Sequence, residues 1–233
     1  MAQETVWDRE YRDPKLIVKE NKPRNSVSNF AKFLKKNIAR ESSGKDRFTG
    51  LKFLDLGSGI GKNSYYFAKF GASVIGFEIS GVAIKMAESL KQNTGFDIKY
   101  VKKNIGEKFP LEDQSIDVVL DVISSNSLNE KEREVYLEET HRVLKIGGYF
   151  FVEALSKDGD KNAKHLLKTN PGREKDTYIM PNLGLTERVW SAEDFKKTYG
   201  KYFKIVRLEK SIGYPKIEGR IYKRHLWICY MKK

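Results

Sequence analysis

A glycine-rich loop at residues 57–61 constrains this chain more than any other feature of its sequence. It follows an apolar run that ends at Leu56 and precedes a segment with helical periodicity, so it joins a strand to a helix. Glycine permits positive φ values and lets backbone N–H groups approach a ligand, while the helix N-terminus adds a partial positive charge. The loop therefore predicts an α/β unit with a ligand site where the strand ends.

The spacing of this loop excludes two common nucleotide-binding motifs. A phosphate-binding P-loop would have glycine at position 56 and serine or threonine at position 63, where the chain has Leu56 and Asn63. A dinucleotide-binding fingerprint that starts at Gly57 would need another glycine at position 62, which is Lys62. What remains is the pattern Asp-x-Gly-x-Gly-x-Gly, which begins at Asp55.

Short apolar runs alternate with helical segments from residue 51 onward, which is typical of parallel strands covered by helices. The predicted strands are Lys52–Leu56, Ser73–Phe77, Ile98–Val101, Ile116–Val122, Tyr149–Leu155, Tyr202–Leu208 and His225–Met231. The predicted helices are Ser26–Arg40, Lys62–Phe70, Ser80–Asn93, Asn129–Leu144 and Ser191–Tyr199. We expect an α/β fold with a Rossmann-like, doubly wound and mostly parallel seven-stranded sheet that has an antiparallel edge strand.

Local signals mark where some of these elements begin, end or are interrupted. Ser26 is a favourable N-cap for the first predicted helix, and Gly147-Gly148 suits a left-handed stop of the helix that begins at Asn129. Residues 156–188 are polar and show little periodicity. Because long irregular insertions in compact domains are more often functional than plain connectors, we expect a lid there.

Positive charge is concentrated at the two flanks of the chain. The sequence has 44 basic and 31 acidic residues, with 12 and 7 of them in residues 1–50 and 19 and 9 in residues 156–233. Residues 51–155 are slightly acidic. Such asymmetry is informative about the surface and its binding partners, not about the fold. It indicates either a solvated lysine-rich surface or flanks that bind an anionic molecule.

The cysteine content and the opening residues limit which classes of protein this chain can belong to. Cys229 is the single cysteine of the chain, which excludes an intramolecular disulfide and a cysteine-based zinc site, and we predict no metal site. The opening residues are charged where a signal peptide would be apolar, and no run approaches 18 apolar residues. We expect a cytoplasmic protein.

The Asp55 pattern, together with a second acid about 20 residues later, resembles motif I and its partner in class I S-adenosylmethionine-dependent methyltransferases of the type 11/25 kind. Glu78 is that second acid. The segments 102–105, 109–119 and 138–148 resemble further signatures of this superfamily, in the expected order. Within it, the sequences around Asn63 and residues 71–80 are most similar to small-molecule enzymes of the tellurite-resistance and thiopurine type.

The resemblance implies a cofactor, S-adenosyl-L-methionine, a product, S-adenosyl-L-homocysteine, and a set of contacts. Asp55 suits the ammonium group of the cofactor, Glu78 the ribose diol, and Asn104 the adenine. The implied cofactor-binding residues are Asp55, Gly57, Ser58, Gly59, Gly61, Asn63, Glu78, Ile79, Asn104, Ile105, Asp121 and Ile123. Methyl transfer from a sulfonium is an in-line displacement, so the motifs identify no catalytic residue.

The same resemblance divides the chain and indicates where an acceptor binds. It implies a methyltransferase domain over residues 1–233, with a substrate-cap segment (1–49), a cofactor-binding core (50–155), a substrate-lid insertion (156–190) and a C-terminal helix with edge strands (191–233). The candidate acceptor residues are Trp7, Tyr11, Asn126, Arg173, Tyr178 and Arg188. Our hypothesis is a small acceptor with an anionic group, which arginines from the flanks attract.

Two other interpretations remain open at this point. An RNA or protein methyltransferase would use the basic flanks as an electrostatic platform. A non-catalytic binding module would have kept the fold but lost turnover, although the intact Asp55, Gly57, Gly59 and Glu78 argue against it. The atom that is methylated, the need for a general base and the oligomeric state do not follow from the sequence.

Overall fold

One seven-stranded sheet organises the part of the chain that the computed structural model describes, residues 2–14, 22–38, 47–181, 183–217 and 220–233. Its strands are β1 (Lys52–Leu56), β2 (Ser73–Glu78), β3 (Ile98–Lys102), β4 (Ile116–Val122), β5 (Leu144–Leu155), β8 (Lys204–Gly213) and β11 (Arg224–Lys232). Their order is β3-β2-β1-β4-β5-β11-β8. The first five are parallel, whereas β11 runs antiparallel to both of its neighbours. The predicted fold class is confirmed.

Helices cover both faces of the sheet, and two short hairpins complete the fold. The helices are α1 (Ala2–Arg12), α2 (Asn25–Asn37), α3 (Lys62–Ala68), α4 (Gly81–Lys91), α5 (Glu130–Val143), α6 (Lys161–Thr169) and α7 (Ala192–Tyr199). The hairpins pair β6 (Thr177–Ile179) with β7 (Thr186–Arg188) and β9 (Lys216–Ile217) with β10 (Arg220–Ile221). No described helix has the length and apolar character that crossing a bilayer requires.

The central strands are largely apolar because both of their faces are buried. In β1, Leu54 and Leu56 join a core cluster that includes residues of α5 and α7, while Phe53 joins a second cluster with residues of α2, α3 and α4. In β1, the four residues after Lys52 are all buried. Two-sided burial fixes the register of the parallel strands, so that their carboxyl ends form one common edge.

Ser26 does not have the capping role that its sequence position predicts. Helix α2 begins one residue earlier, after Arg24, and no side chain caps it. The Ser26 hydroxyl instead donates to Glu153 Oε2 at 2.5 Å, and Arg24 Nε lies 2.7 Å from Glu153 Oε1. Because Glu153 is buried near the C-terminal end of β5, satisfying its charge took precedence over capping the helix. The predicted end of this helix at residue 40 lies outside the described residues.

The expectation that Gly147-Gly148 stops the preceding helix is also wrong. Helix α5 ends at Val143, and Leu144 already has extended geometry and belongs to β5. Gly147 has φ +80°, and the β4–β5 register shifts where the chain passes it. The glycine pair therefore accommodates an irregularity inside a long strand instead of ending a helix.

Helix α1, helix α6 and the β6–β7 hairpin are elements that the sequence did not predict. The insertion residues of α6 and the hairpin bury an apolar cluster that includes Ala163, Tyr178 and Leu185, and Trp7 of α1 packs against it. The described residues of the insertion at 156–188 thus form an ordered layer with its own small core, and the role of this layer as a lid stays a prediction. The layer lies beside the end of β4, because Ile123 also packs on this cluster.

We predict that Ser26→Ala lowers the free energy of unfolding by about 2 kcal/mol, since it removes a hydrogen bond to a buried carboxylate. Urea unfolding followed by circular dichroism measures this change. Ser28→Ala is the matched control, because Ser28 lies on the same helix and its side chain makes no hydrogen bond to the described residues. Equal stability of the two variants would contradict the anchoring role of Ser26.

Candidate active site

The glycine loop between β1 and α3 turns at three residues with positive φ, Gly57 (+67°), Gly59 (+56°) and Gly61 (+81°). A Cβ atom at Gly57 would lie 2.3 Å from Ser124 Cβ, so only glycine lets the loop press against the end of β4. The Ser124 hydroxyl donates to the Leu56 carbonyl at 2.7 Å. The loop and the residues after β4 therefore form one tightly packed unit.

Asp55 supplies a buried carboxylate with one free oxygen. Its Oδ2 accepts a hydrogen bond from the Ser64 hydroxyl at 2.7 Å, whereas its buried Oδ1 has no hydrogen-bond partner in the part of the chain that the structure describes. Burial raises the pKa of Asp55 to about 6, although the Ser64 hydrogen bonds oppose the shift. A free oxygen on a buried carboxylate is the acceptor that the ammonium group of a ligand would satisfy.

Glu78, the last residue of β2, ties the glycine loop to the neighbouring strand. Its Oε2 accepts from the Gly59 N–H and its Oε1 from the Ser80 N–H, both at 2.8 Å. Burial raises the pKa of Glu78, and the backbone hydrogen bonds lower it. Since each carboxylate oxygen accepts more than one hydrogen bond, Glu78 can still receive two ligand hydroxyls.

The remaining predicted cofactor residues surround these two carboxylates to different degrees. Ser58 is buried, and its N–H donates to the Phe77 carbonyl at 2.9 Å, while Asn63 and Ile79 are half-buried. Asn104 Oδ1 accepts from the Gly106 N–H at 2.9 Å, so the amide oxygen assigned to adenine also stabilises its own turn. The next residue, Ile105, is buried in the core. These adenine contacts stay predictions.

The end of β4 is stabilised by Asp121 and contains a strained residue. Asp121 Oδ1 accepts from the Ser124 N–H at 2.9 Å, and Oδ2 accepts from the Tyr136 hydroxyl at 2.6 Å. Ile123 has φ +65°, which costs a β-branched residue about 1–3 kcal/mol. The Ile123 N–H donates to the Glu153 carbonyl at 2.8 Å and helps to hold this conformation. Strained backbone of this kind concentrates at functional sites.

Helix α1 covers the loop and the ends of β2 and β3. The Tyr11 hydroxyl lies 2.7 Å from the position that a Cβ atom at Gly59 would take. Asp8 accepts from the Ser80 hydroxyl at 2.6 Å, and Glu4 forms an ion pair with Lys102 at 2.5 Å. A helix that the sequence did not predict thus places Tyr11 at the glycine loop and Trp7 against the insertion cluster, and their contact with an acceptor stays a prediction.

The four remaining candidate acceptor residues differ in their surroundings. Asn126 is buried behind the end of β4, and its amide lies 3.4 Å from the Ile123 carbonyl. Tyr178 is buried; its hydroxyl donates to Glu187 and accepts from Arg224 at 2.6 Å. Arg188 is buried against an indole ring, whereas Arg173 is exposed. Of the two arginines, only Arg188 is enclosed by the insertion.

Sequence reasoning missed several residues that the geometry places in or beside the site. Ser64 and Ser80 were noted only as parts of family signatures, although they bind Asp55 and Asp8. Arg133 was not singled out because a charged residue in an otherwise polar helix gives no signal of burial. Its burial depends on Trp190, which is 57 positions away in the chain.

Comparisons with known proteins agree with this geometry. The family model described as "Methyltransferase domain" matches residues 54–152, which contain most of β1, all of β2–β4, most of β5 and both site carboxylates. A ubiquinone biosynthesis O-methyltransferase from Brucella anthropi is 28% identical over 118 residues, 51% of this chain and 46% of that protein. The chain thus spans less than half the length of this curated relative.

Solved structures share the architecture at low sequence identity, so they support the fold. A 1,6-didemethyltoxoflavin-N1-methyltransferase from Burkholderia thailandensis, solved with S-adenosylhomocysteine bound, has a TM-score of 0.69 and 13% identity, and the match covers 100% of this chain and 87% of that one. TehB from Haemophilus influenzae has a TM-score of 0.65 and 16% identity, with coverage of 99% and 67%. Residues 54–152 are thus similar to a methyltransferase domain, and the carboxylate and glycine-loop geometry agrees with the resemblance to class I S-adenosylmethionine-dependent methyltransferases.

Proposed function

We propose that this chain transfers the methyl group of S-adenosylmethionine to a small acceptor that carries an anionic group, and that it does so in the cytoplasm. One observation carries the proposal: the free oxygen of Asp55 and the carboxylate of Glu78 lie at the ends of neighbouring strands beside the same glycine loop. The first suits a ligand ammonium and the second a ligand diol. S-adenosylmethionine has both groups at its two ends.

The residues present fit this cofactor. Asp55 Oδ1 would accept the ammonium, the remaining lone pairs of Glu78 would accept the ribose hydroxyls, and the backbone at Gly57 and Gly59 would lie against the methionine moiety. Ile79, Asn104 and Ile105 would border the adenine. When bound, the cofactor supplies an activated methyl group and its own leaving group.

The work left to the protein is alignment and exclusion of water. Helix α1 covers the cofactor side, and the insertion packs with Trp7 and Ile123 beside the end of β4. No general base is assigned: the half-buried His141 ring contacts Tyr202 and Phe203, and His165 is exposed. A displacement that only needs its reactants aligned gains most from such a closed site.

The anionic character of the acceptor is inferred from Arg188. This side chain belongs to the insertion hairpin, is buried, and has no carboxylate within ion-pair distance among the described residues. A buried guanidinium without an acidic partner favours a ligand that brings the negative charge. Binding of generic RNA that falls steeply with salt would instead favour the macromolecular alternative.

We predict that the wild-type protein binds S-adenosylmethionine and S-adenosylhomocysteine with micromolar affinity, and that Glu78→Gln weakens both by at least about tenfold, or about 1.4 kcal/mol. The variant keeps the shape of the side chain but removes its charge and one acceptor oxygen. Isothermal titration calorimetry measures both constants.

Glu112→Gln is the matched control for this titration, because Glu112 is exposed before β4. It should bind both ligands as tightly as the wild type. Circular dichroism establishes that each variant is folded. A folded wild-type protein that binds neither ligand would overturn the proposed function.

The pKa of Asp55 makes a second prediction, about stability. In the folded protein this pKa is about 6 against 3.8 for a free side chain, so folding favours the protonated form. Its stabilising contribution is complete below pH 3.8 and is lost as the pH rises through 6. Asp55→Asn mimics the protonated form, so its stability relative to the wild type should increase by about 2 kcal/mol between pH 4.5 and pH 7.5.

Chemical unfolding at the two pH values, without cofactor, tests this difference. Ser64→Ala is the second variant, because it removes the hydroxyl hydrogen bond that lowers the pKa of Asp55 while it keeps the backbone N–H. It should lose more stability than the wild type over the same pH interval. A stability difference between Asp55→Asn and the wild type that does not change with pH would contradict the assignment.

A further inference from the structure

Two buried arginines lie against the same indole ring beneath the insertion. Arg133 of α5 is 5% exposed and Arg188 of β7 is 7% exposed. Their guanidinium carbons lie 5.3 Å and 4.7 Å from the centre of the Trp190 ring. Stacking on an indole stabilises a guanidinium, but it neutralises neither charge.

The polar atoms of this group are only partly satisfied. Arg133 Nη2 donates to the Leu128 carbonyl and Arg188 Nη1 to the Lys175 carbonyl. The Nε atoms of both arginines and the Nε1 atom of Trp190 are buried and have no hydrogen-bond partner among the described residues. Three unused N–H donors in one cluster are unusual, since buried donors are nearly always paired.

The protein's own acids do not neutralise the pair. Within the described ranges, no carboxylate lies within 4.0 Å of either guanidinium. Glu174 is near Arg133, but its two oxygens accept from the Glu130 N–H at 3.1 and 3.0 Å. Burial and the neighbouring Arg188 lower the pKa of Arg133, and Tyr199, Glu174 and Glu130 only partly oppose this shift. Two like charges that remain ionised in a buried position are expensive unless an anion joins them.

The arginine pair lies behind the end of β4. The short 3₁₀ turn Ser125–Ser127 directly follows that strand end, and the Ser125 hydroxyl lies 3.5 Å from the Tyr199 hydroxyl. The Tyr199 ring is 5.7 Å from the Trp190 ring, centre to centre. The cluster is thus connected to the segment beside which an acceptor would bind.

We propose that Arg133, Arg188 and Trp190 form an oxyanion subsite that takes the carboxylate group of the methyl acceptor. A carboxylate is flat, accepts up to four hydrogen bonds, and matches planar guanidinium donors. This inference rests on the proposed function for the identity of the acceptor, but the binding of a carboxylate does not depend on the cofactor. It specifies that the anionic group of the proposed acceptor is a carboxylate, so that the acceptor is a carboxylic acid.

Thermal unfolding of the wild-type protein without cofactor tests the subsite directly. Sodium benzoate, sodium phosphate and sodium chloride are titrated at constant ionic strength. We expect benzoate to raise the Tm progressively, because a ligand that binds only the folded state stabilises it. Chloride should leave the Tm unchanged, and phosphate should have a smaller effect than benzoate.

Substitutions in the subsite test whether benzoate raises the Tm by binding there. Arg188→Gln and Trp190→Phe should each weaken the apparent affinity for benzoate by about tenfold, since each removes one unpaired donor. Lys168→Gln is the charge-matched control: it removes one positive charge from an exposed position on α6 of the same insertion and should bind benzoate like the wild type. If Arg188→Gln does not fold, the wild-type titration and Trp190→Phe still decide.

Each remaining outcome counts for or against the subsite. Equal Tm values in benzoate and chloride overturn it, and so does an unchanged benzoate response in Trp190→Phe. A stronger response to phosphate overturns the assignment to a carboxylate. Because these titrations contain no S-adenosylmethionine, a benzoate response in a protein that fails to bind the cofactor would refute the proposed function and leave the subsite intact.

If the proposed function and the subsite both hold, matched acceptors test whether the bound carboxylate belongs to the methyl acceptor or to a separate molecule. Aromatic carboxylic acids and their methyl amides are compared as methyl acceptors in the presence of S-adenosylmethionine. We expect the acids to have a KM at least about tenfold lower in the wild type, and this preference to be lost in Trp190→Phe. Equal KM values for acid and amide would overturn the claim that the acceptor brings the carboxylate.

Discussion

The buried carboxylate of Glu78 is the interaction on which the rest of the site depends. By accepting the N–H groups of Gly59 and Ser80, it fixes the glycine loop after β1 to the end of β2. The Ser80 hydroxyl then donates a hydrogen bond to Asp8 of α1, so the position of helix α1 over the site also depends on Glu78. A charge placed at the end of a parallel strand thus organises three segments that are distant in the sequence.

The sheet and the cofactor side could be predicted because their signals are local. Continuous apolar runs identify the two-sided strands, and the predicted bounds of Lys52–Leu56 and Ile116–Val122 are those of β1 and β4. Asp55 and Glu78 end neighbouring strands, so sequence position alone brings them together. What the two carboxylates bind in solution stays a prediction.

The two covers of the site, helix α1 and the insertion, and the acceptor side could not be predicted because the residues that contact each other there are distant in the sequence. The amide of Gln3 donates to the Ser127 carbonyl, 124 positions away, and Arg224 reaches Tyr178 across 46 positions. Ser26 illustrates the same limit: its local role as a helix cap yielded to the charge of Glu153. Periodicity and capping rules consider only residues that are close in the chain, whereas contacts between residues distant in the chain determine the structure of these segments.

The close packing of Gly57 against Ser124 divides the site into a rigid floor and separate covers. Because the loop, the end of β4 and Asp121 are joined by short contacts, the floor has little freedom to adapt to a new acceptor. Helix α1 and the insertion attach to it through a few side chains. If the proposed function holds, changes in the insertion can therefore alter which acceptors enter while the floor that would hold the methyl donor is preserved, so that specificity can evolve separately from donor binding.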